Sequence, residues 1–307
     1  MTRYIIKRTI IVFLTIILIS TITFFLMNTV PGGPFLSEKS PSKAVLAMLE
    51  EKYGLDKPLI VQYKNYMIGL AQGDLGVSLK KKGQPIVAII VDKFPVSARL
   101  GGVAVAIAVL FGIPIGCIAA LNRGKWLDNL LMFIATVGIA VPGFVVATSL
   151  MIIFGVKLGL LPTFGLSSPL HYILPAFTLA FYPMSYMARL MRSSMLEVLS
   201  LDYIRTAKAK GVSEFKMIFK HALRNSLIPV ITYLGPLMAY ILTGSFVVEK
   251  IFTIPGLGGE FINSITNRDY PMIMGTTIFL ATILIFMNFF VDLLYKVVDP
   301  RVTLDKE

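Results

Sequence analysis

The stretch LGGVAVAIAVLFGIPIGCIAALN at Leu100–Asn122 contains no Asp, Glu, Lys or Arg, and it decides the fold class. As a helix it would rise about 35 Å, which is enough to cross a hydrocarbon core of about 30 Å. Five further charge-free runs have comparable length, and the shortest would rise about 33 Å. They are Thr9–Ser37, Asn129–Val156, Leu158–Ala188, Asn225–Val248 and Tyr270–Val291. The sequence therefore predicts an all-α polytopic membrane protein with six transmembrane helices.

The composition agrees with this prediction. Charged residues make up 15% of the 307 residues, against about 25% in soluble domains. One Arg at the centre of a membrane helix costs about 2.5 to 3.5 kcal/mol, whereas each Leu or Ile returns only about 0.3 to 0.6 kcal/mol. Long charge-free runs therefore indicate spans rather than helices buried in a soluble core.

The basic residues indicate orientation rather than a nucleic-acid partner. The net charge is +12, but the Lys and Arg residues lie between the runs. If the N-terminus is cytoplasmic, sixteen of them fall in inner segments and only three in the two short outer loops. The positive-inside rule then predicts that both termini are cytoplasmic. The other ten lie between Lys39 and Arg99, in a long outer segment of the kind that translocates largely regardless of charge.

Cysteine and histidine are too scarce to suggest a metal centre. Cys117 is the single cysteine, so it cannot form an intramolecular disulfide. His171 is predicted at the outer surface before the fourth span, and His221 on a cytoplasmic amphipathic helix; both are expected to be interfacial residues. We expect no metal site and no cofactor bound by this chain.

The chain is predicted to divide into four parts. Residues 31–98 form an outer segment that is too long for a structureless connector. Apolar residues recur at helical spacing in Ala44–Tyr53 and Ile60–Leu70, and Ser42 can begin the first helix while Gly54 can end it. We expect a small helical extracytoplasmic subdomain resting on the membrane. The other parts are the N-terminal end with the first helix (1–30), the membrane core (99–298) and a cytoplasmic tail (299–307).

The longest cytoplasmic segment, Arg189–Arg224, is predicted to contain two short helices. The first runs from Asp202, a plausible N-cap, to Lys210, and Gly211 supplies a positive-φ stop. Ser213 then caps a second helix. Its apolar residues recur at helical spacing and predict one apolar face. These residues are Phe215, Ile218, Phe219, Ala222 and Leu223.

A short basic helix followed by an amphipathic helix that leads into a span has the form of a docking element. The candidate docking residues are Tyr203, Arg205, Thr206, Ala207, Lys208, Ala209, Lys210 and Gly211. The alternative is a positive-inside loop that sets topology and binds anionic lipid. Topology does not require small residues before a glycine turn, so the sequence favours docking.

The stretch DYIRTAKAKGVSEFKMIFKHALRNSLIPVI at Asp202–Ile231 resembles the "EAA" loop of binding-protein-dependent ABC importer permeases, in their oligopeptide/dipeptide/nickel branch. Here Arg205-Thr206-Ala207 stands where Glu-Ala-Ala is usual in the wider family. KYGLDKPLIVQYKNYMIGLAQGDLGVS at Lys52–Ser78 is similar to the first-loop signature of the branch. FTIPGLGGEFINSITNRDYPMIMG at Phe252–Gly275 is similar to its last outer loop. The pattern resembles the B-type permease rather than its C-type partner.

The resemblance implies a type I ABC importer permease in a bacterial inner membrane. It implies a half-channel that pairs with a C-type permease, two ATPase subunits that bind ATP and Mg, and an extracytoplasmic substrate-binding protein. The docking residues would then couple this chain to an ATPase. The sequence has no G-x-x-x-x-G-K-[ST] phosphate loop of its own, so we expect a non-catalytic subunit.

The four middle spans contain several prolines, and a proline inside a helix frees a backbone carbonyl that a water-filled cavity can satisfy. They are therefore better candidates for a pathway than the first and last spans, although ordinary packing kinks are the alternative. Polar pathway candidates are Ser185, Thr232, Tyr233, Tyr240, Thr243 and Asn288. The branch implies an oligopeptide or dipeptide substrate, with nickel or another small solute as the alternative.

Two other classes of protein remain as rivals. A secondary transporter usually carries carboxylates or histidines within its spans, but the six runs hold no acidic residue and only the peripheral His171. An intramembrane protease could use Ser245, which follows Gly244, but no histidine within a span could activate it. Activity without a partner ATPase would favour either rival.

Overall fold

The computed structural model describes residues 2–30, 33–35, 43–81, 83–242 and 246–298. Helices account for most of these residues. In the first half they are α1 (Thr2–Thr29), α2 (Lys43–Tyr53), α3 (Leu59–Ala71), α4 (Ile86–Leu121), α5 (Trp126–Ala140) and α6 (Gly143–Leu150), which continues as a π-helix (Met151–Lys157). After a 3-10 turn (Pro169–Tyr172) come α7 (Ile173–Leu199), α8 (Asp202–Ala209), α9 (Glu214–Lys216), a π-helix (Met217–Ala222), α10 (Leu223–Ser226), α11 (Ile228–Leu242), α12 (Phe246–Ile251), α13 (Leu257–Thr266) and α14 (Tyr270–Val298).

The predicted all-α class is confirmed. Within the described ranges the β pairing is a single isolated bridge between Val77 and Pro85. Three helical segments are long and apolar enough to cross a membrane, namely Ile6–Thr29, Ile86–Leu121 and Tyr270–Phe289.

A fourth apolar element is broken rather than straight. Trp126–Ala140 and Gly143–Lys157 pass the same test together, but they meet at an angle of 107°. Pro142 lies at the break with φ −58° and ψ 138°, and it precedes the first residue of α6. Proline cannot donate the backbone hydrogen bond that would continue α5, and the residue before it is driven out of the α region. The third predicted run therefore contains two helices.

The helices extend beyond the charge-free runs that predicted them. α4 begins at Ile86 and continues without a break past Ala98, where the outer segment was predicted to end. Its 36 residues rise about 54 Å, which exceeds the thickness of a hydrocarbon core. α7 likewise continues past Ala188 to Leu199. A charge-free run marks what lipid can surround, whereas a helix can continue into water.

The core is centred on the contact between α4 and α7. Small residues of α4 face a row of methionines on α7, and both rows are buried. A Cβ built on Gly112 would lie 2.9 Å from the Met184 carbonyl oxygen and 3.0 Å from Met187 Cβ. Glycine therefore allows the two backbones to approach closely, and the flexible methionines fill the remaining space.

An ion pair joins α5 to α7 at the end of the core next to the docking residues. Arg192 Nε donates to Asp128 Oδ1 at 2.6 Å, and Arg192 Nη2 donates to Asp128 Oδ2 at 2.7 Å. The Gly124 N–H donates to the same carboxylate at 2.9 Å. Asp128 is buried, and this bidentate geometry compensates its lost hydration. The last two turns of α7 are thereby held in place before α8 begins.

The segment after α3 is tied to the segment before α14. The Asp269 carboxylate accepts hydrogen bonds from the Ser78 hydroxyl and from the Leu79 N–H, the latter at 3.1 Å. Lys81 Nζ lies 2.7 Å from Glu260 Oε2 on α13. These contacts connect the two stretches that resemble outer-loop signatures of the permease branch. Ser42, the predicted cap of α2, lies outside the described residues, and Gly54 ends α2 with φ +68°.

Candidate docking loop

α8 carries most of the predicted docking residues, and one buried side chain anchors it. Ile204 is buried in the cluster between α4 and α7, whereas Asp202 and Arg205 are exposed. Asp202 is the first helical residue, and Leu201 precedes it in an extended conformation, so the predicted N-cap was one residue late. The Asp202 carboxylate still lies at the positive end of the helix dipole. Its contact of 3.5 Å with Arg205 Nη1 is exposed and contributes little.

Gly211 forms the turn that ends α8. Its φ is +74°, which confirms the prediction of a positive φ between two helices. The Gly211 N–H donates to the Lys208 carbonyl at 3.0 Å, and the Val212 N–H donates to the Ala207 carbonyl at 3.2 Å. No atom lies within 4 Å of a Cβ built on Gly211. The constraint at this position is therefore conformational rather than steric.

The second helix differs from its prediction in shape. Ser213 precedes Glu214 as expected, but its side chain makes no capping hydrogen bond. The helix then widens into the π-helix Met217–Ala222. A π turn holds more residues than an α turn. Apolar residues spaced three and four positions apart therefore no longer all lie on one side of the helix.

The predicted single apolar face was wrong for the two phenylalanines of this segment. Ala222 is buried, and Ile218 and Leu223 pack against the core cluster. Phe215 and Phe219 are instead 71% and 56% exposed. Their ring centroids lie 4.4 Å apart, so they pack on each other outside the core. The segment therefore has one apolar side that faces the core and a separate exposed aromatic pair.

A tyrosine attaches α8 to the segment that leads into α11. Asn225 Nδ2 donates to the Tyr203 hydroxyl oxygen at 2.8 Å, and that hydroxyl donates to the His221 carbonyl at 3.3 Å. These groups border a cleft of about 610 Å³ that also includes Lys220 and Arg224. The sequence interpretation gave Tyr203 a docking role only and omitted Asn225, which no spacing pattern identifies.

The rest of the predicted docking set forms one accessible surface. Ala207 is half-buried, and the others are exposed along α8 and its turn. The exposed small or polar members are Thr206, Ala209 and Gly211, and the exposed basic members are Arg205, Lys208 and Lys210. A surface of small residues between cations suits close approach by another protein with an acidic groove.

The pathway candidates lie in different environments. Thr232, Tyr233 and Tyr240 lie on α11, and Asn288 is half-buried on α14. Ser185 is buried on α7, and it lies where a Cβ on Gly138 of α5 would be. Thr243 lies outside the described residues. The structure thus places Ser185 in a helix contact and Thr232 and Tyr240 on an exposed side of α11.

Two tyrosines that the sequence interpretation omitted join Tyr233. The Tyr186 ring centroid lies 4.5 Å from that of Tyr233, and Tyr182 stacks on Tyr186 at 6.5 Å. Tyr182 and Tyr186 are four residues apart on α7 and both are exposed. That spacing places two residues on one helix face, so it could have identified the pair. The three rings make an accessible aromatic strip across α7 and α11.

His171 acts as a local cap. Its Nδ1 lies 2.8 Å from the Ser168 hydroxyl and 3.3 Å from the Ser168 backbone nitrogen, while its Nε2 lies 3.2 Å from the Ser167 hydroxyl. These contacts close the 3-10 turn at Pro169–Tyr172 before α7 begins. The imidazole thus stabilises the turn from which α7 begins, inside the fourth charge-free run.

The all-α fold, the long apolar helices and the exposed helical loop between α7 and α11 define a multi-pass membrane protein. A family model described as "Binding-protein-dependent transport system inner membrane component" matches residues 112–304. A second, described as "Binding-prot-dependent transport system membrane comp, N-term", matches residues 1–101. The chain belongs to the family of binding-protein-dependent transport system inner membrane components.

Relatives within this family match along the whole chain. The dipeptide transport system permease protein DppB of Bacillus subtilis (strain 168) is 52% identical over all 307 residues, which is 100% of both chains. The oligopeptide transport system permease protein OppB of Haemophilus influenzae is 44% identical and covers 98% of this chain and 99% of that protein. The DppB protein of Lactococcus lactis subsp. cremoris is 43% identical, with coverage of 99% and 100%.

Solved structures share the fold at lower identity. Two inward-facing crystal forms of the MetNI methionine ABC transporter contain a chain that matches with TM-scores of 0.57 and 0.59. The identities are 15% and 16%, and each match covers 70% of this chain and 99% of the other. At this identity the likeness shows the fold alone.

Proposed function

We propose that this chain is the B-type permease subunit of an ATP-driven, binding-protein-dependent importer of dipeptides or oligopeptides. The observation that carries the proposal is the full-length identity of 52% with a dipeptide permease, together with an exposed small-residue docking loop. The chain supplies half of a pore and is not itself an enzyme. Its partners are a C-type permease, two ATPases that bind ATP and Mg, an extracytoplasmic binding protein and membrane lipid.

The proposed topology has six spans in a bacterial inner membrane and both termini in the cytoplasm. α1, α4 and α14 supply three spans, and the bent pair α5–α6 supplies a fourth. α7 supplies the fifth span, because it begins in an apolar run and ends in the cytoplasmic segment. α11, together with the short α10 that leads into it from the cytoplasmic segment, supplies the sixth. Residues 31–98 then lie outside, and the start of α4 projects beyond the membrane.

The proposed coupling acts through α8 as a rigid element. Arg205, Thr206 and Ala207 bind a groove of the ATPase, and the Gly211 turn sets the angle between α8 and the next helix. The buried Ile204 and the Tyr203–Asn225 hydrogen bond transmit movement of α8 to the segment that enters α11. Closure of the ATPase pair would therefore shift α11, which carries the pathway candidates.

The proposed pathway follows the exposed side of α11. Thr232 and Tyr240 lie on that side, and Tyr182, Tyr186 and Tyr233 form the adjoining aromatic strip. Tyrosines offer hydroxyl groups and apolar ring faces, so they suit a cargo whose shared feature is a peptide backbone with variable side chains. The binding protein would select the substrate before it reaches this surface.

The experiment that tests the function is uptake by proteoliposomes. The full chain is reconstituted with its C-type permease, ATPases and binding protein, and uptake of labelled dipeptides and longer peptides is measured. We expect uptake that requires ATP and the ATPases. Uptake by the two permeases without an ATPase would favour a secondary transporter instead. Uptake of nickel but not of peptides would select the other substrate of the branch.

The topology has its own test. A single cysteine is introduced as Lys81→Cys or Lys208→Cys in a Cys117→Ser background. Intact cells that express each variant are then treated with a membrane-impermeant thiol reagent. We expect Lys81→Cys to be labelled and Lys208→Cys to be labelled only after lysis. The reverse pattern would overturn the orientation.

A further inference from the structure

α3 has an apolar face that nothing in the described structure covers. Ile60 is 68% exposed, Ile68 is 46% exposed and Val61 is 37% exposed. Lys64 is the one charged residue between Leu59 and Ala71, and it lies on the same side of the helix. Water would be a poor solvent for this face, so a partner of apolar chemistry is required.

The contacts of α3 with α1 fix how deep the helix lies. The Tyr63 hydroxyl is 2.8 Å from the Thr21 hydroxyl. The Tyr63 ring packs against Phe25 at 5.3 Å between centroids, and the Tyr66 ring stacks on Phe24 at 5.5 Å. These α1 residues lie within the apolar segment that ends at Thr29. At a rise of about 1.5 Å per residue, Thr21, Phe24 and Phe25 lie about 6 to 12 Å from Thr29 along α1. α3 therefore contacts α1 at that depth inside the end of the apolar segment.

We infer that α3 lies in the outer leaflet of the membrane and that phospholipid covers the Ile60–Ile68 face. A depth of about 5 to 10 Å is typical of helices that lie in the membrane interface. On α1, beside the residues that contact α3, the apolar Ile22 and Leu26 are themselves exposed. Lys64 can extend its charged end toward the headgroups while its alkyl chain lies among the acyl chains.

A polar side of α3 adjoins the apolar face. Gln62 Nε2 donates to the Lys57 carbonyl at 2.8 Å and to the Leu55 carbonyl at 3.1 Å. Gln62 and Asn65 also line a cleft of about 470 Å³ that includes the acidic Asp74. The helix thus has a polar side, a side that contacts α1 and a bare apolar side. Tyrosines between the apolar and polar sides are typical of a membrane interface.

A lipid-anchored α3 would hold the outer subdomain at a fixed height above the pore. The chain that leaves α3 reaches Ser78 and Lys81, which contact Asp269 and Glu260. The lipid contact would therefore stabilise the position of α13 as well. This inference rests on the proposed orientation, in which residues 31–98 are on the extracytoplasmic side, but not on peptide transport.

The test uses depth-dependent fluorescence quenching in proteoliposomes of the full chain. Trp126 is the single tryptophan, so a Trp126→Phe background receives Ile60→Trp, with Lys57→Trp on the polar side as the matched control. The probes are phosphatidylcholines brominated near the headgroup or near the methyl end of the acyl chains. We expect Ile60→Trp to emit at shorter wavelength and to be quenched at least about twofold more than Lys57→Trp, most strongly by the shallow bromines, as for an interfacial helix.

Two results would overturn the inference. Equal weak quenching of the two variants would place α3 in water, and quenching of Ile60→Trp that disappears when the C-type permease is added would assign the face to that protein. Ile68→Trp provides a second reporter if Ile60→Trp does not insert. The experiment measures the depth of α3 in the bilayer rather than peptide uptake. Its result can therefore be interpreted even if the peptide-import proposal fails.

Discussion

Gly116 of α4 lies directly against Met191 of α7, so that a Cβ on Gly116 would be only 2.6 Å from Met191 Cβ and 2.5 Å from the Ala188 carbonyl oxygen. The Ala188 carbonyl oxygen belongs to the backbone of α7, so it cannot move aside without displacing that helix. Because α7 leads through its last turns into α8, this contact determines where the docking loop begins. This close helix contact in the core thus also positions the candidate docking loop.

The contact predicts that Gly116→Val destabilises the protein. Overpacking of a close helix contact costs about 1 to 3 kcal/mol. We expect a lower midpoint of thermal unfolding in detergent, measured by size-exclusion chromatography after heating. Gly102→Val on the same helix is the matched control, because no atom lies within 4 Å of a Cβ there. Equal losses in the two variants would show that valine in α4, rather than contact with α7, is the cause.

Ala207→Glu is predicted to uncouple the ATPase from transport. Ala207 is the half-buried small residue in the centre of the proposed docking surface, so a longer acidic side chain would both clash and reduce the local positive charge. We expect normal membrane insertion and normal pairing with the C-type permease. Copurification of the ATPase and peptide uptake should both fall by about tenfold, which corresponds to about 1.4 kcal/mol.

Lys216→Gln is the control for Ala207→Glu. It changes the charge by the same amount on an exposed residue of the same segment, outside α8. Normal uptake by Lys216→Gln together with loss in Ala207→Glu would assign coupling to α8. If Ala207→Glu transports normally with the ATPase bound, or if both variants lose uptake alike, the loop acts through its charge, in topology and anionic-lipid binding, instead.

Gly211→Val is predicted to misplace α8 without unfolding the chain. A β-branched residue at φ +74° is strained by about 1 to 2 kcal/mol, although the surrounding space is open. We expect ATPase activity that no longer responds to binding protein and substrate, and reduced uptake. Gly73→Val carries similar strain at φ +78°, again in open space, but lies far from α8. Equal uptake by the two valine variants would remove the Gly211 turn from the mechanism.

The sequence was sufficient for features that depend on local chemistry. A charge-free run must lie in an apolar medium, and a glycine between two helices is the residue that adopts a positive φ at low cost, so the three long apolar helices and the Gly211 turn were predictable. The exposure of Phe215 and Phe219 was not. It depends on how a π turn packs against its neighbours, and such contacts leave no period in the sequence.

Contacts between distant residues were the other unpredictable part. Arg192 and Asp128 are 64 positions apart, and their ion pair follows only once α5 and α7 are packed together. Asn225 likewise reaches the Tyr203 hydroxyl, 22 positions away. The predicted docking residues lie together on one short helix and its turn, whereas the groups that hold that helix are spread over several elements.

The final prediction concerns Glu249, a buried carboxyl beside the start of α13. It is 1% exposed, and its Oε2 accepts a hydrogen bond from the Gly259 N–H at 3.0 Å. Gly256 and Gly258 leave room for the carboxyl, because a Cβ on Gly256 would overlap it. Burial raises the pKa of Glu249 above its ordinary value of 4.5, and backbone hydrogen bonds oppose that rise only in part.

The sign of the pH dependence follows from this raised pKa. The contribution of Glu249 to stability is fully present below the unfolded pKa, near 4.5, and is lost as the pH rises through the folded pKa. Glu249→Gln keeps the shape and has no charge to bury. We therefore expect the midpoint of thermal unfolding of Glu249→Gln, relative to wild type, to increase between about pH 4.5 and pH 8. The exposed Glu197→Gln is the control and should show no such trend. Parallel pH profiles of wild type and Glu249→Gln would show that this carboxyl does not titrate differently in the folded protein.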